Sequence, residues 1–203
     1  KNEKRFIDEG ANYRKYTYDQ IGKEILKQPD KCAWQVFDAK TKRYLREEYN
    51  GRNVSKVVAN TLTELVEKME GINKEGFLEE IRRYNEAVDR FTPFNPNSLD
   101  GKATNGLEVS KSNWANTIDE GPFEAYELTC GITFTYGGLK ISKKAEVMHN
   151  DFTTIDGLYA AGEIVGGLYY DKYPGGAGLT SGAVFGRIAG EQAAKYARKK
   201  QTV

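Results

Sequence analysis

Tyr173-Pro174-Gly175-Gly176-Ala177-Gly178-Leu179-Thr180-Ser181-Gly182 decides how this chain is read. A glycine loop runs straight into a segment with apolar residues at helical spacing, through Leu179, Ala183, Val184, Ile188, Ala189, Ala193 and Tyr196. Such a loop exposes backbone N–H groups, and the first turn of the helix adds partial positive charge. Glycine also lets a flat or anionic ligand come close to the main chain. The same pattern can serve as a tight turn packing a helix on a sheet, and composition does not separate the two readings. Gly176-x-Gly178-x-x-x-Gly182 is a relaxed dinucleotide fingerprint, but it follows Pro174 rather than a clear strand and leads into a basic helical stretch. A pyrophosphate-binding unit needs a further strand with an acidic residue about 20 positions on, so that reading is rejected.

Upstream, Gly157-Leu158-Tyr159-Ala160-Ala161-Gly162-Glu163 reads as a short strand of small residues that delivers a carboxylate at its C-terminal end. Ligands of α/β sheets bind at that end, and a carboxylate there can accept hydrogen bonds from ribose or ribityl hydroxyls. The plainer alternative is a solvent-facing Glu. Further upstream, Tyr126, Leu128, Cys130, Ile132, Phe134 and Tyr136 alternate with smaller or polar residues, which predicts one long strand. Gly137-Gly138 then reads as a turn, with Leu139-Lys140-Ile141 as the return strand.

The first half has a different character. Helices are expected over residues 14–29, over Ala59, Leu62, Leu65, Val66 and Met69 with Gly71 as stop, and over Phe77 to Val88 with Asn73 as cap and Pro93 and Pro96 as terminators. Ala33 to Asp38 reads as a strand and 92–122 as a long surface loop. Of 21 glycines, ten lie between Gly157 and Gly190 and seven precede Gly121, which puts a domain boundary in 120–135.

Composition excludes several classes. The 203 residues carry 30 Lys+Arg against 29 Asp+Glu, so no global field favours a nucleic acid. A single histidine, His149, and two distant cysteines, Cys32 and Cys130, argue against a zinc site and against serine–histidine catalysis, so no metal is expected. No apolar run reaches the ~18 residues of a membrane span, and no signal peptide is visible, which makes the cytoplasm the expected compartment. The opening Lys1-Asn2-Glu3-Lys4-Arg5-Phe6-Ile7 reads like the interior of a domain, so the chain is expected to be part of a longer protein.

Three stretches, Gly157-Leu158-Tyr159-Ala160-Ala161-Gly162-Glu163-Ile164-Val165-Gly166-Gly167, Pro174 to Gly190 and the basic tail, resemble the C-terminal signature of the fumarate reductase/succinate dehydrogenase flavoprotein family. The likeness extends to Thr135–Ile141, Lys144–Met148, Glu79–Val88 and Lys4–Glu9, so it covers nearly the whole chain, and it is most like the tricarballylate-dehydrogenase-like branch. The resemblance implies an α+β (α/β) architecture. Residues 1–130 would be a capping, substrate-side domain, and 131–203 the C-terminal segment of a discontinuous Rossmann-like FAD-binding domain whose N-terminal GxGxxG half is absent. It implies FAD as cofactor in the full-length protein, with Glu163, Ala177, Gly178 and Leu179 as cofactor-binding residues. Arg14 would be the catalytic group that passes a proton to or from the substrate carbon. Fumarate reductases carry a His before the Gly-Gly turn and an Arg before the last Gly-Gly; here Thr133 and Phe134 stand at the first place and Tyr173, beside Lys172, at the second. Phe134, Tyr136, Lys172, Tyr173, Gly175 and Gly176 are therefore the expected substrate contacts, for a small-molecule carboxylate or carbonyl substrate other than fumarate. Tyr169 and Tyr170 fit core packing or substrate contact equally. The resemblance also implies the missing half of the protein as a partner, an electron-transfer partner, and little activity for this piece alone. A non-catalytic binding or regulatory module on the same scaffold is the alternative, and a partner-interaction domain without a cofactor is a further one.

Overall fold

The computed structural model describes residues 3–52, 54–170 and 172–201. It divides into two compact units, Lys1–Cys130 and Gly131–Val203, each a mixture of helix and sheet. In the first unit β1 (Cys32–Phe37), β2 (Lys56–Ala59) and β3 (Phe123–Thr129) form an antiparallel sheet in the order β1-β3-β2. The pleat sends Phe123 and Ala125 to one face with Val36, Val57 and Ala59 opposite or beside them. That face packs on α3 (Leu62–Glu67) and α4 (Lys74–Ala87) through Leu65, Val66, Phe77 and Ile81. Leu65 is fully buried, so burial of this face is the main source of stability for the unit. α1 (Arg14–Leu26) and the four-residue α2 (Ala39–Lys42) are further α-helices of this unit, and Ile25 is the buried residue of α1.

The helix starts follow side-chain chemistry. Thr61 and Glu64 form a reciprocal capping box, so α3 begins at Leu62. Ala59, expected in that helix, instead ends β2 opposite Phe123. Asn73 caps α4, its Oδ1 accepting from the Gly76 amide at 2.8 Å, as its sequence position implies. α4 stops at Ala87, short of Pro93, because Val88 leaves helical geometry to bridge Thr104 and the Asp89 carboxylate turns the chain by accepting from the Phe91 amide. Residues 92–122 contain no helix or strand.

In the second unit β4 (Glu146–Met148) and β5 (Thr154–Tyr159) pair antiparallel, and α5 (Ala177–Gln201) follows. Here the strand expected over 126–136 is corrected. It ends at Thr129, where its partner β1 also ends at Cys32, and Ile132 is 89% exposed. Gly137-Gly138 is not a hairpin turn either. Residues 136–139 run along 164–167, with Leu139 N–H on the Ile164 carbonyl at 2.8 Å and Gly166 N–H on the Leu139 carbonyl at 3.0 Å. The two backbones cross so closely that a Cβ on Gly138 would lie 2.3 Å from the Ile164 oxygen, and one on Gly166 would lie 2.2 Å from the Gly138 nitrogen. Both glycines are there for close approach. Ile141 then bridges Val147 of β4 instead of returning along 126–136.

Candidate functional site

The chemistry-bearing residues of the second unit gather around the start of α5. The helix begins at Ala177, two residues before the expected Leu179, so Ala177, Gly178 and Leu179 form its first turn. Gly176 takes a left-handed φ of 85° just before it. The Ala177 amide donates to the Pro174 carbonyl at 3.0 Å and the Thr180 amide to that of Gly176 at 3.3 Å. The Gly178 amide donates to the Tyr173 hydroxyl at 2.6 Å. The Leu179 amide has no acceptor among the described residues, and the residue is 86% exposed. No acidic residue occupies the first turn. An open concavity beside it is lined by Tyr169, Gly175, Gly176, Ala177, Ser181 and Phe185. An uncapped amide at the positive end of a 25-residue helix, with side-chain-free backbone next to it, can receive a carbonyl or anionic oxygen.

Phe134, Tyr136, Tyr169 and Tyr173 form one aromatic cluster. Phe134 and Tyr173 have ring centroids 4.3 Å apart, Tyr169 and Tyr173 meet edge-on at 5.0 Å, and Tyr136 stacks on Tyr173 at 6.5 Å. Tyr169 thus belongs to the cluster and also lines the concavity, whereas Tyr170 is 93% exposed. Glu163 sits just after β5 in a short 3-10 turn (Gly162–Ile164), and its Oε1 accepts from the Thr135 amide at 3.0 Å. That bond ties the segment carrying Phe134 and Tyr136 to the strand end carrying Glu163. The sequence reading missed the Thr135 amide because any residue type can supply it. Gly182 on α5 lies opposite Gly162, where an added Cβ would be 3.7 Å from the Gly162 Cα, so the helix can approach the Glu163 turn closely. Lys172 is exposed, with its backbone amide on the Tyr170 carbonyl at 2.7 Å.

The first unit holds the remaining expected site residue. Arg14 is the first residue of α1 and is exposed. Its positive charge reaches the Tyr49 phenol, which burial pushes up from its ordinary value and which donates to Gln35 Oε1 at 2.7 Å. The segment leading to Arg14 is tied to residues 112–114, within the stretch expected as a long surface loop. Among the described residues no cluster of His, Cys, Asp and Glu could hold a metal ion, and no helix is long and apolar enough to cross a membrane.

The sequence profile of the FAD binding domain family matches residues 1–179. The chain is 36% identical over 198 residues to a fumarate reductase (cytochrome) of Shewanella frigidimarina, covering 97% of this chain and 31% of that protein. It is 34% identical over 184 residues to an NADH:fumarate oxidoreductase of Klebsiella pneumoniae (strain 342), covering 90% of this chain and 18% of that one. The chain therefore spans about a third, or less, of the length of these curated relatives. Among solved structures, the open conformation of a flavocytochrome c3 fumarate reductase superposes with a TM-score of 0.70 at 28% identity, over 97% of this chain and 32% of that one.

Proposed function

Since the chain belongs to the FAD binding domain family, we propose that it is the substrate-side and C-terminal flavin-side portion of an FAD-dependent oxidoreductase acting on a carbon–carbon bond next to a carboxylate or carbonyl. Residues 1–130 are the capping domain and 131–203 the closing segment of a discontinuous Rossmann-like flavin domain in this reading. The observation that carries it is the start of α5, where the Gly175-Gly176 loop leaves the Leu179 amide without an acceptor beside an open concavity. Such a helix end suits the carbonyl edge of a flavin, where negative charge accumulates on reduction. Ala177, Gly178 and Leu179 would hold that edge, and Glu163 a sugar-alcohol hydroxyl of the same cofactor. Bound FAD supplies hydride transfer; the chain's own residues bind, orient and protonate.

Arg14 is the proton group in this reading. One hydride and one proton add across the substrate double bond in reduction, or leave in the reverse direction, and Arg14 donates or recovers the proton at the carbon next to the activating group. A guanidinium gives up a proton reluctantly, so in this reading the donor needs a defined place against the substrate carbon. Fumarate, in the names of the two relatives above, and acrylate, in that of an NADH:acrylate oxidoreductase of Vibrio harveyi 36% identical over 137 residues, share the double bond next to a carboxylate. Phe134 and Tyr173 stand where the fumarate reductases are expected to carry His and Arg, so fumarate is a poor substrate here. Lys172 anchors a single carboxylate or carbonyl, and Phe134, Tyr136 and Tyr173 with Gly175 and Gly176 form the surface against which a bulkier, tricarballylate-like or aryl substrate lies.

The experiment uses the full-length flavoprotein with viologen-driven reduction of fumarate, acrylate and an aryl acrylate. Arg14→Ala and Arg14→Lys lower kcat at least about 100-fold, as loss of a general acid does, while dithionite still bleaches the flavin band at the wild-type rate. A colourless protein that cannot be reconstituted with FAD, or Arg14→Ala at wild-type kcat, refutes the reading.

A further inference from the structure

We propose that Asn113 is a positioning residue for Arg14, acting through a clasp between the irregular strap 5–13 and the loop 95–115; the inference rests on the reading of Arg14 given above. Arg14 opens α1, yet its N-cap Tyr13 makes no side-chain capping bond, so the start of the helix lacks the side-chain anchor that an N-cap usually supplies. The placement comes from the strap. Asn113 is 9% exposed and uses both ends of its amide: Nδ2 donates to the Gly10 carbonyl at 2.9 Å and Oδ1 accepts from the Gly101 amide at 2.8 Å. Only one orientation of that amide satisfies both partners, so it joins the strap to the turn at Asp100 in a defined geometry. Gly10 is buried against it, and a Cβ there would lie 2.4 Å from the Asn113 carbonyl oxygen.

Neighbouring contacts reinforce the same junction. Asp8 Oδ1 accepts from the Ser112 amide at 3.0 Å and from the Gly10 amide at 2.9 Å, and Ser112 Oγ donates to Asp8 Oδ2. The Tyr13 ring, immediately before Arg14, packs on Trp114 at 5.8 Å. Trp114 in turn is held in a left-handed conformation, φ 57°, with its amide on Asp100 Oδ1 at 2.8 Å and its indole N–H shared by the Asn95 and Ser98 carbonyls at 2.9 and 2.8 Å. A bulky residue keeps that backbone only where its surroundings dictate it. Three consecutive residues, 112–114, thus set the approach of the strap four residues before Arg14. A general acid displaced by about 1 Å loses up to about 100-fold in rate.

The test compares Asn113→Ala and Asn113→Asp with wild type in the full-length flavoprotein, using whichever of fumarate, acrylate and an aryl acrylate is reduced fastest. Asn113→Asp keeps the acceptor for Gly101 but turns a carboxylate oxygen toward the Gly10 carbonyl. Both variants lower kcat by about 10- to 100-fold with KM within about twofold. Amide hydrogen exchange speeds up in residues 8–16 and stays at the wild-type rate in α4. Arg14→Ala/Asn113→Ala is no slower than Arg14→Ala alone, because Asn113 acts only through Arg14. Should Asn113→Ala not fold, Trp114→Phe, which keeps the ring against Tyr13 and loses the indole donor, carries the same measurements. Wild-type kcat in the Asn113 variants beside an inactive Arg14→Ala overturns this proposal alone; additive losses in the double variant, or matched losses of kcat and flavin content, do the same. Wild-type kcat in Arg14→Ala overturns the underlying reading and this inference with it.

Discussion

Glu124 offers a sharp test of how the first unit is held together. Its side chain is 3% exposed, with Oε1 2.5 Å from Lys42 Nζ and 3.8 Å from Lys56 Nζ, and Oε2 accepting from the Tyr126 hydroxyl at 2.6 Å. Tyr126 is itself 1% exposed. Glu124→Gln keeps the volume and an acceptor for Tyr126 but removes the charge. Lys42 is half-exposed and can return to water, so its share is below about 1 kcal/mol. The hydrogen bond from Tyr126 to an ionised carboxylate contributes about 1.5–3 kcal/mol, of which a neutral amide recovers part. The expected loss is about 2 kcal/mol near neutral pH. The pH dependence identifies the charge as the cause. Burial raises the Glu124 carboxyl, but the Lys42 and Tyr126 hydrogen bonds and the Lys56 charge outweigh it and leave the group below its ordinary value. A depressed carboxyl stabilises the fold fully above its unfolded value of about 4.3 and loses that contribution as pH falls through the folded value. Urea midpoints measured from about pH 7 to about pH 3 should show a constant gap between wild type and Glu124→Gln down to about pH 5, then a narrowing gap. A gap under about 0.5 kcal/mol at neutral pH, or one that stays constant to the acid end, refutes the reasoning.

Two further outcomes concern the second unit. Lys172→Ala raises KM several-fold with kcat unchanged in steady-state kinetics on the full-length protein, because an exposed cation that anchors a carboxylate acts equally on ground and transition states; a fall in kcat at constant KM contradicts that role. Gly138→Ala costs more than about 3 kcal/mol in thermal or urea denaturation, since its Cβ would meet backbone that cannot yield, whereas Gly137→Ala, with nothing within 4 Å of the added atom, stays within about 0.5 kcal/mol.

The sequence carried the parts of the fold that local chemistry writes. Asn73 announced α4, and the glycine loop before the apolar run announced α5. Thr61-x-x-Glu64 sets the start of α3, which the apolar spacing that includes Ala59 does not show, because period alone cannot tell a preceding strand residue from a helical one. The strand over 126–136 failed for a nonlocal reason. Alternation continues past Thr129, but the partner strand β1 does not, and a strand without a partner is not a strand. Gly137-Gly138 has the composition of a turn, and only the crossing chain at Ile164–Gly166 reveals its use. At the site, the side chains gathered around α5 were legible by type. The Thr135 amide on Glu163 and the Asn113 amide on Gly10 were not, because backbone donors and acceptors carry no residue signature.

The sheet order β1-β3-β2 bears on how the first unit comes into being. Among the described residues β1 and β2 each pair with β3, not with each other, although β3 lies more than sixty residues beyond β2 in the chain. During synthesis both early strands emerge with bare edges, and neither finds its ladder until Phe123–Thr129 has left the ribosome. The strap at Gly10 waits still longer in sequence terms, since its partner Asn113 is 103 residues away. The sheet of this unit is accordingly built from nonlocal pairings, a topology of high contact order that folds slowly by the standards of helical domains. A chain stopped before residue 123 would present two unpaired strands and an open apolar face, the material from which intermolecular β-pairing starts.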